Sequence, residues 1–455
     1  MAVVELKDVV EAIAAQVGDW SGDLGSKVIH RITTDTRNLQ PGDVFLALQG
    51  DRFDGHEFLD VARDKGAIAA IVSRQSEQSA PLPLLQVADT LVAYQALGRW
   101  WRQQFSRPVI AVTGSVGKTT TKELIAAALE TAGSVLKTQA NFNNEIGVPK
   151  TLLEIDPEVH QFAVVEMGMR GPNEIALLTQ IAQPDIAVIT NVGTAHIGRL
   201  GSEQAIANAK CELLAELKPT GVAVLNADNP LLLDTAAQIW SGKTVRYGLQ
   251  QGDLRGHLVD ATTLVVEEMS FTLPLPGRHN ALNFLAALAI AREVGIDWAA
   301  LTHLQVELPQ GRAKQVALPE NVVLLDETYN AGLESMLASL QLLAEMPAQR
   351  RIAVLGTMKE LGDRSPEFHH QVGAAACTAG IDHLLILADA AEQDAMAAGA
   401  APLPTTICQT HADVVNHLLE LVQPGDRILL KASRAVGLDQ VVQQFGDRYR
   451  ATVSS

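Results

Sequence analysis

VIAVTGSVGKTTTKE, residues 109–123, decides how the rest of the chain is read. The apolar run Val109–Val112 predicts a buried strand, which breaks into Thr-Gly-Ser-Val-Gly and then into a helical pattern from Lys118. A strand, a glycine turn and a helix N-terminus together present backbone N–H groups to an anion. Gly114, Ser115, Val116, Gly117, Lys118, Thr119 and Thr120 are therefore the candidate phosphate contacts. Lys118 adds a point charge for the outer phosphates, and the Thr119 hydroxyl suits Mg²⁺. The strict P-loop pattern has glycine where Val112 stands, so the loop is a variant whose turn rests on Gly114 and Gly117.

Outward from this unit, candidate strands 109–113, 162–167, 186–191 and 222–226 alternate with candidate helices 118–131, 173–182, 202–217 and 280–294. That alternation predicts a mostly parallel sheet covered by helices. The stretch 102–108 reads as a linker, and 305–320, with Pro309, Gly311 and Pro319, as a second. Beyond it, strands near 322–326, 351–356, 383–388 and 427–431 predict a Rossmann-like unit, although its first turn lacks the G-x-G-x-x-G of dinucleotide binding. The expectation is an α/β chain of three domains, residues 1–104, 105–309 and 310–455, in keeping with 455 residues at ~150 per domain.

The net charge is −17 and no basic tract appears, which argues against nucleic acid as a partner. An acidic protein that binds phosphates must use local devices, namely loop N–H groups, a few cations and bound metal. No apolar run approaches the ~20 residues of a membrane span. Glu5, Lys7 and Asp8 come too early for a signal peptide. Cys211, Cys377 and Cys408 are too scattered for a disulfide framework or a zinc site, so the expected compartment is a reducing cytoplasm.

Glu166 ends one strand pattern and His196 follows the next, which puts both at the carboxyl edge where the loop opens. Either can serve as a metal ligand there, or as ordinary strand-end and turn chemistry. Lys210 sits inside the apolar stripe Ile206, Leu213, Leu214, Leu217 of the helix that Ser202 caps. Its amine either snorkels to solvent or is buried neutral, and a neutral amine can capture CO₂ as a carbamate. Asn280 and Asn283 lie one turn apart, as helix caps or as amides aimed at one ligand. Arg312 reads as a hinge charge or as a cation for a transferring phosphoryl group. Asp326 and Tyr329-Asn330 at a strand end fit turn chemistry or the reading of a ribose or base. Arg434 is either a surface charge or a clamp for a carboxylate. For Asp35, Thr36, Arg37, Asn143 and Asn144, loop structure and substrate contact both remain open.

Taken in order, DTRNLQPGDVFLALQGDRFDGHEF, TGSVGKTTTKE, NFNNEIGVPKTLL, VVEMGMRGPNEI, TNVGTAHIGRLGS, AKCELL, GRHNALN, DETYNA and LKASR resemble the Mur ligases over nearly the whole chain. The ATP loop is shared across those ligases and folylpolyglutamate synthases. The first block, NNEIGVP and DETYNA point to the members that join D-alanyl-D-alanine to UDP-N-acetylmuramoyl-tripeptide. A monomer is the expected state, although the sequence does not fix it. The resemblance implies an N-terminal domain for the UDP-muramyl substrate, a central P-loop ATPase and a C-terminal Rossmann-like ligase domain, with ATP and Mg²⁺. It implies UDP contacts from Asp35, Thr36 and Arg37 and phosphate contacts from Gly117, Lys118 and Thr119. It further implies that Glu166 and His196 are metal ligands, that Lys210 is carbamylated, and that Asn283, Arg312, Asp326 and Asn330 face the nucleotide. Asp326-Glu327, Thr357, Gly332-Leu333 and Ala432 depart from the family pattern, all in the C-terminal domain. Alternatives are another Mur ligase, a folylpolyglutamate-synthase-like ligase, or a P-loop switch or motor ATPase that makes no amide.

Overall fold

In the computed structural model, which describes residues 4–17, 24–50, 53–73 and 82–453, Val109–Thr113 is a fully buried strand inside a nine-stranded sheet. The strand order is Val135–Lys137, Phe162–Glu166, Val109–Thr113, Ile186–Ile189, Val222–Asn226, Lys243–Gly248, Leu254–Asp260, Thr263–Val266 and Met269–Thr272. The pairings are parallel as far as Leu254–Asp260, and the last two are antiparallel. Continuous apolar strands follow from a sheet covered on both faces. Ile110 and Val112 pack against helices Lys118–Glu130 and Arg278–Glu293, whereas Val109 and Ala111 face helices Gly147–Leu153, Glu174–Ala182 and Glu203–Ala215. The period-2 alternation of a strand assigns each residue its side.

Register then positions the site. Val112 lies beside Glu166, and Thr113 beside Ile189. The glycine loop, the Glu166 carboxylate and the turn from Thr190 onward therefore leave the sheet side by side at its carboxyl edge.

The N-terminal region holds a five-stranded sheet in the order Gln16–Val17, Leu84–Val87, Ala69–Ser73, Val44–Leu46, Ile32–Thr33. Its closing helix, Thr90–Gln103, is capped by Asp89, which accepts from Leu91 N at 2.7 Å and Val92 N at 3.0 Å. A Cβ on Gly98 would stand 2.8 Å from Pro149 Cα, so only glycine lets this helix meet helix Gly147–Leu153 so closely.

The expected linker at 102–108 is not a free tether. Arg102 is buried and donates to Ala182 O at 3.0 Å, Gln183 O at 3.1 Å and Asp185 at 2.9 Å, and Phe105 is buried beside it. A buried guanidinium requires such partners, and they clamp the segment to the central domain.

The C-terminal region is a six-stranded sheet in the order Lys314–Ala317, Val323–Asp326, Arg427–Lys431, Arg351–Gly356, His383–Leu387, Thr405–Ile407. All its pairings are parallel except the first. Lys314–Ala317 falls inside the expected second linker. It is an edge strand because it can pair with Val323–Asp326, a partner that its own composition does not reveal. One apolar cluster runs from the N-terminal sheet through one face of the central sheet to helices Leu333–Glu345 and Ser365–Thr378. No helix of the described residues is long and apolar enough to cross a membrane.

Candidate nucleotide and metal site

Two glycines shape the loop. Gly114 (φ 151°) passes so close to the next strand end that a Cβ would fall 1.9 Å from Thr190 Oγ1. Gly117 (φ 82°) precedes helix Lys118–Glu130, and a Cβ there would lie 2.7 Å from Asn283 Oδ1. Either substitution would push the loop off its neighbours.

The loop is held from the adjacent strand. Ser115 N donates to Asn191 O and Val116 N to Asn191 Oδ1, each at 3.0 Å. Val116 O accepts from Thr190 Oγ1 at 2.6 Å, and Ser115 Oγ accepts from Gly193 N at 2.9 Å. The amides of Ser115 and Val116 are thus committed within the protein. The N–H groups at the first helical turn, Lys118 to Thr120, have no preceding helical carbonyl to bond, which leaves them as the loop's candidate anion donors. Lys118 Nζ curls over the loop and donates to Gly114 O at 2.7 Å. Burial pushes its pKa down, Glu166 works in the opposite direction, and Arg312 adds to the lowering.

Glu166 is the best-supported side chain of the edge. One carboxylate oxygen accepts from Thr119 Oγ1 and the other from Asn143 Nδ2, both at 2.8 Å. Below it lies the fully buried Lys122, 3.9 Å from Glu166, which donates to Thr138 O at 2.6 Å and pairs with Glu123 at 3.0 Å. Lys122, Thr190 and Asn191 were not singled out in the sequence. The available signal was their place, one helical turn past the loop and at the end of the neighbouring strand.

His196 has a left-handed backbone (φ 67°) and heads the short turn Ile197–Leu200. Its Nδ1 lies 2.6 Å from a Glu360 oxygen, an ion-pair distance without an aligned hydrogen bond. Burial lowers its pKa first. Glu360 opposes this, and the charges of Lys118 and Lys210 reinforce it. Lys210 is 1% exposed and makes no hydrogen bond or ion pair among the described residues. Burial, then the Lys118 charge, drives its pKa well below that of an ordinary lysine. The snorkelling alternative is thereby removed.

Among the described residues no three His, Cys, Asp or Glu side chains converge as a ready-made metal cluster. The Thr119 hydroxyl and the Glu166 carboxylate are nonetheless hard oxygen donors at the loop mouth. Mg²⁺ is commonly held by one or two carboxylates together with substrate phosphates, a donor set that these residues fit.

Asn283 accepts from Thr121 Oγ1 at 3.1 Å and donates to Asn280 Oδ1 at 3.3 Å, which places it behind Gly117. The Arg312 guanidinium stacks 3.9 Å over the Tyr329 ring, and its buried Nε has no hydrogen-bond partner among the described residues. Elsewhere several candidates are tied into local structure. Asp326 accepts from Thr328 Oγ1 at 2.6 Å, and Asn330 is exposed while its carbonyl accepts from Lys431 at 3.1 Å. Asn144 holds the turn into helix Gly147–Leu153 by accepting from Gly147 N at 2.9 Å. Exposed Arg434 pairs with Asp439 at 3.0 Å. Asp35 takes the Arg37 guanidinium at 2.7 Å, a hydrogen bond that lowers its pKa to about 2, and Thr36 O accepts from Lys65 Nζ at 2.8 Å. Asp51 and Arg52 of that block lie outside the described residues.

Three family descriptions match the chain: "Mur ligase family, catalytic domain" over residues 28–127, "Mur ligase middle domain" over 112–291 and "Mur ligase, glutamate ligase domain" over 311–434. A UDP-N-acetylmuramoyl-tripeptide–D-alanyl-D-alanine ligase of Synechocystis sp. is 54% identical and aligns over 98% of this chain and 97% of its own. Its Escherichia coli counterpart is 39% identical over 90% and 92%. Among solved structures, MurF from Acinetobacter baumannii superposes with a TM-score of 0.89 at 30% identity, covering 98% of this chain and all (100%) of that one. The Thermotoga maritima MurF ligase in complex with ADP gives 0.82 at 31% identity, over 93% and 98%.

Proposed function

The chain belongs to the Mur ligase family, and on that premise we propose that it joins D-alanyl-D-alanine to the terminal carboxylate of UDP-N-acetylmuramoyl-tripeptide, using ATP in peptidoglycan precursor synthesis. The observation that carries this reading is the Lys118 loop beside the Thr119–Glu166 pair at one sheet edge, with the buried Lys210 close enough to feel the Lys118 charge. Residues 1–104 hold the UDP-muramyl substrate, with Asp35, Thr36 and Arg37 nearest the UDP. Residues 105–309 hold ATP, and 310–455 bring the dipeptide. The enzyme works as a monomer in the cytoplasm, where Cys211, Cys377 and Cys408 stay thiols.

The reaction takes two displacements. A carboxylate oxygen of the tripeptide attacks the γ-phosphorus of ATP, the bond to the bridging oxygen breaks, and ADP leaves. The dipeptide amine then attacks the acyl carbon, loses a proton and expels phosphate as the amide forms. Lys118 and the first-turn N–H groups hold the β- and γ-phosphates. Arg312, with its unpartnered buried Nε and its ring support from Tyr329, neutralises charge on the transferring group. Asn283 supports the loop, and Asp326 and Asn330 read the nucleoside. Arg434 exchanges Asp439 for the dipeptide carboxylate, because an exposed pair of this kind costs little to open. Asn143 acts through Glu166, and Asn144 sets the turn that presents Asn143.

Thr119, Glu166 and His196 would hold magnesium, which when bound spreads the negative charge of the phosphates. Lys210 is suited to carry a carbamate. Burial and then the Lys118 charge push its pKa down, and a carbamate anion would face Lys118 instead of leaving a cation buried beside another cation. As a carbamate it becomes a further oxygen ligand. Measuring phosphate release with each substrate omitted in turn tests the whole reading. Release should require ATP, tripeptide and dipeptide together, and an undiminished rate without D-alanyl-D-alanine would defeat it.

A further inference from the structure

The turn that carries His196 is gripped by the C-terminal domain at two carboxylates. Glu334, in the first turn of helix Leu333–Glu345, accepts from Thr194 N at 2.6 Å and from Thr194 Oγ1 at 3.3 Å. Glu360, past strand Arg351–Gly356, accepts at its carbonyl from Gly198 N at 3.1 Å, and its carboxylate reaches His196 Nδ1 at 2.6 Å and Arg199 at 3.5 Å. Facing one another, His196 (φ 67°) and Glu360 (φ 65°) both occupy left-handed backbone, which non-glycine residues keep only where the surroundings impose it.

What imposes it is a backbone-to-backbone approach. A Cβ on Gly198 would stand 2.5 Å from Gly362 N, and one on Gly362 would stand 2.8 Å from Gly198 Cα. Only a glycine pair lets the two domains meet this closely. The same turn also feeds the phosphate loop, since Gly193 N donates to Ser115 Oγ and Asn191 holds Ser115 and Val116.

We propose that Glu360 is a positioning residue for the ligase reaction, reaching across the domain interface to set the ring of His196 so that the metal grip is complete only when the C-terminal domain is docked. The Glu360 charge 2.6 Å from Nδ1 favours the tautomer with its proton on that nitrogen, even without an aligned hydrogen bond, and leaves Nε2 with a lone pair for a metal. The inference rests on the reading of His196 as a ligand. Its consequence is a safeguard: phosphoryl transfer waits for the domain that carries the amine.

Mn²⁺ serves as the probe for Mg²⁺, titrated against the full chain with ADP and followed by electron paramagnetic resonance. Glu360→Gln should weaken Mn²⁺ binding about 10–100-fold, the range for losing an outer partner of a metal-binding histidine. Its melting temperature and its metal-free ADP affinity should not move. Gly198→Ala leaves both side chains in place but forces the domains apart. It should weaken Mn²⁺ to a similar degree and enlarge the radius of gyration in X-ray scattering. If His196→Ala loses Mn²⁺ while Glu360→Gln holds it within twofold of the parent, the proposal is overturned and the ligand reading stands. If His196→Ala itself binds Mn²⁺ normally, the ligand reading fails and the proposal falls with it. An expanded Gly198→Ala protein with parental Mn²⁺ affinity would overturn the dependence on docking.

Discussion

The central and C-terminal sheets are both mostly parallel, both covered by helices, and both place polar residues at their carboxyl edges, yet the two edges are built differently. At the central edge, side chains distant in sequence are locked together: Thr119 to Glu166, Glu166 to Asn143, and Thr121 to Asn283. At the C-terminal edge, Asp326 bonds its own turn and Arg434 pairs with Asp439 five residues on. The central edge is pre-organised for a charged ligand. At the C-terminal edge Lys431 does cross from one strand end to Asn330 O, but Asp326 and Arg434, the candidate ligand-binding side chains, are satisfied locally, and the edge contributes through what it extends outward, namely Arg312, Glu334 and Glu360. Under the proposed function, rigidity belongs where phosphate would be held and adaptability where the dipeptide would arrive.

The strongest way to break this contrast is to disturb the rigid edge. Gly114→Ala drives a methyl into Thr190 Oγ1. Activity should fall by ~10²–10³-fold as the loop is displaced, with about 1–3 kcal/mol of overpacking. Phosphate release and a denaturant melt check both figures, and a fully active variant would show that the edge is pliable.

Lys210→Ala should lower turnover by about a hundredfold or more, the scale of removing one charge-stabilising group. A short carboxylic acid should partly restore it, whereas bicarbonate should not. Full activity without rescue would remove the carbamate.

A smaller effect concerns pH. His369 accepts from Met358 N at 2.9 Å, two residues before Glu360, and burial keeps its pKa below the usual 6.5. The unfolded chain therefore takes up this proton first as pH falls. The stabilisation is complete above 6.5 and is lost as pH falls from there through the folded-state pKa. Between pH 7 and pH 5, Tm should fall by roughly a few degrees more in the parent than in His369→Gln, measured by calorimetry. Equal slopes would clear His369 of the role. The smallest change tests the adaptable edge. Arg434→Ala should raise KM for the dipeptide about tenfold, ~1.4 kcal/mol, at unchanged kcat. An unmoved KM would leave Arg434 as no more than the partner of Asp439.

Local pattern carried far in this chain. The strand at 109–113, the helix from Lys118 and the cap at Ser202 were all legible, because periodicity and turn chemistry act over a few residues. So was the placement of Glu166 at a strand end and of His196 in the segment that follows the next strand. The packed connection at Arg102 and the edge strand Lys314–Ala317 were not legible, since each exists only through a partner far away in sequence.

Sequence alone determined which residue types stand at the carboxyl edges and where glycine permits a turn, since these follow from the chain's own periodicity and sterics. Tertiary structure decided the burial of Lys210, the hold of Asn191 on the loop and the meeting of Glu360 with His196. Those depend on desolvation and on distances between segments up to about 160 residues apart, as for Glu360 and His196 at the far end of that range, which no local pattern encodes.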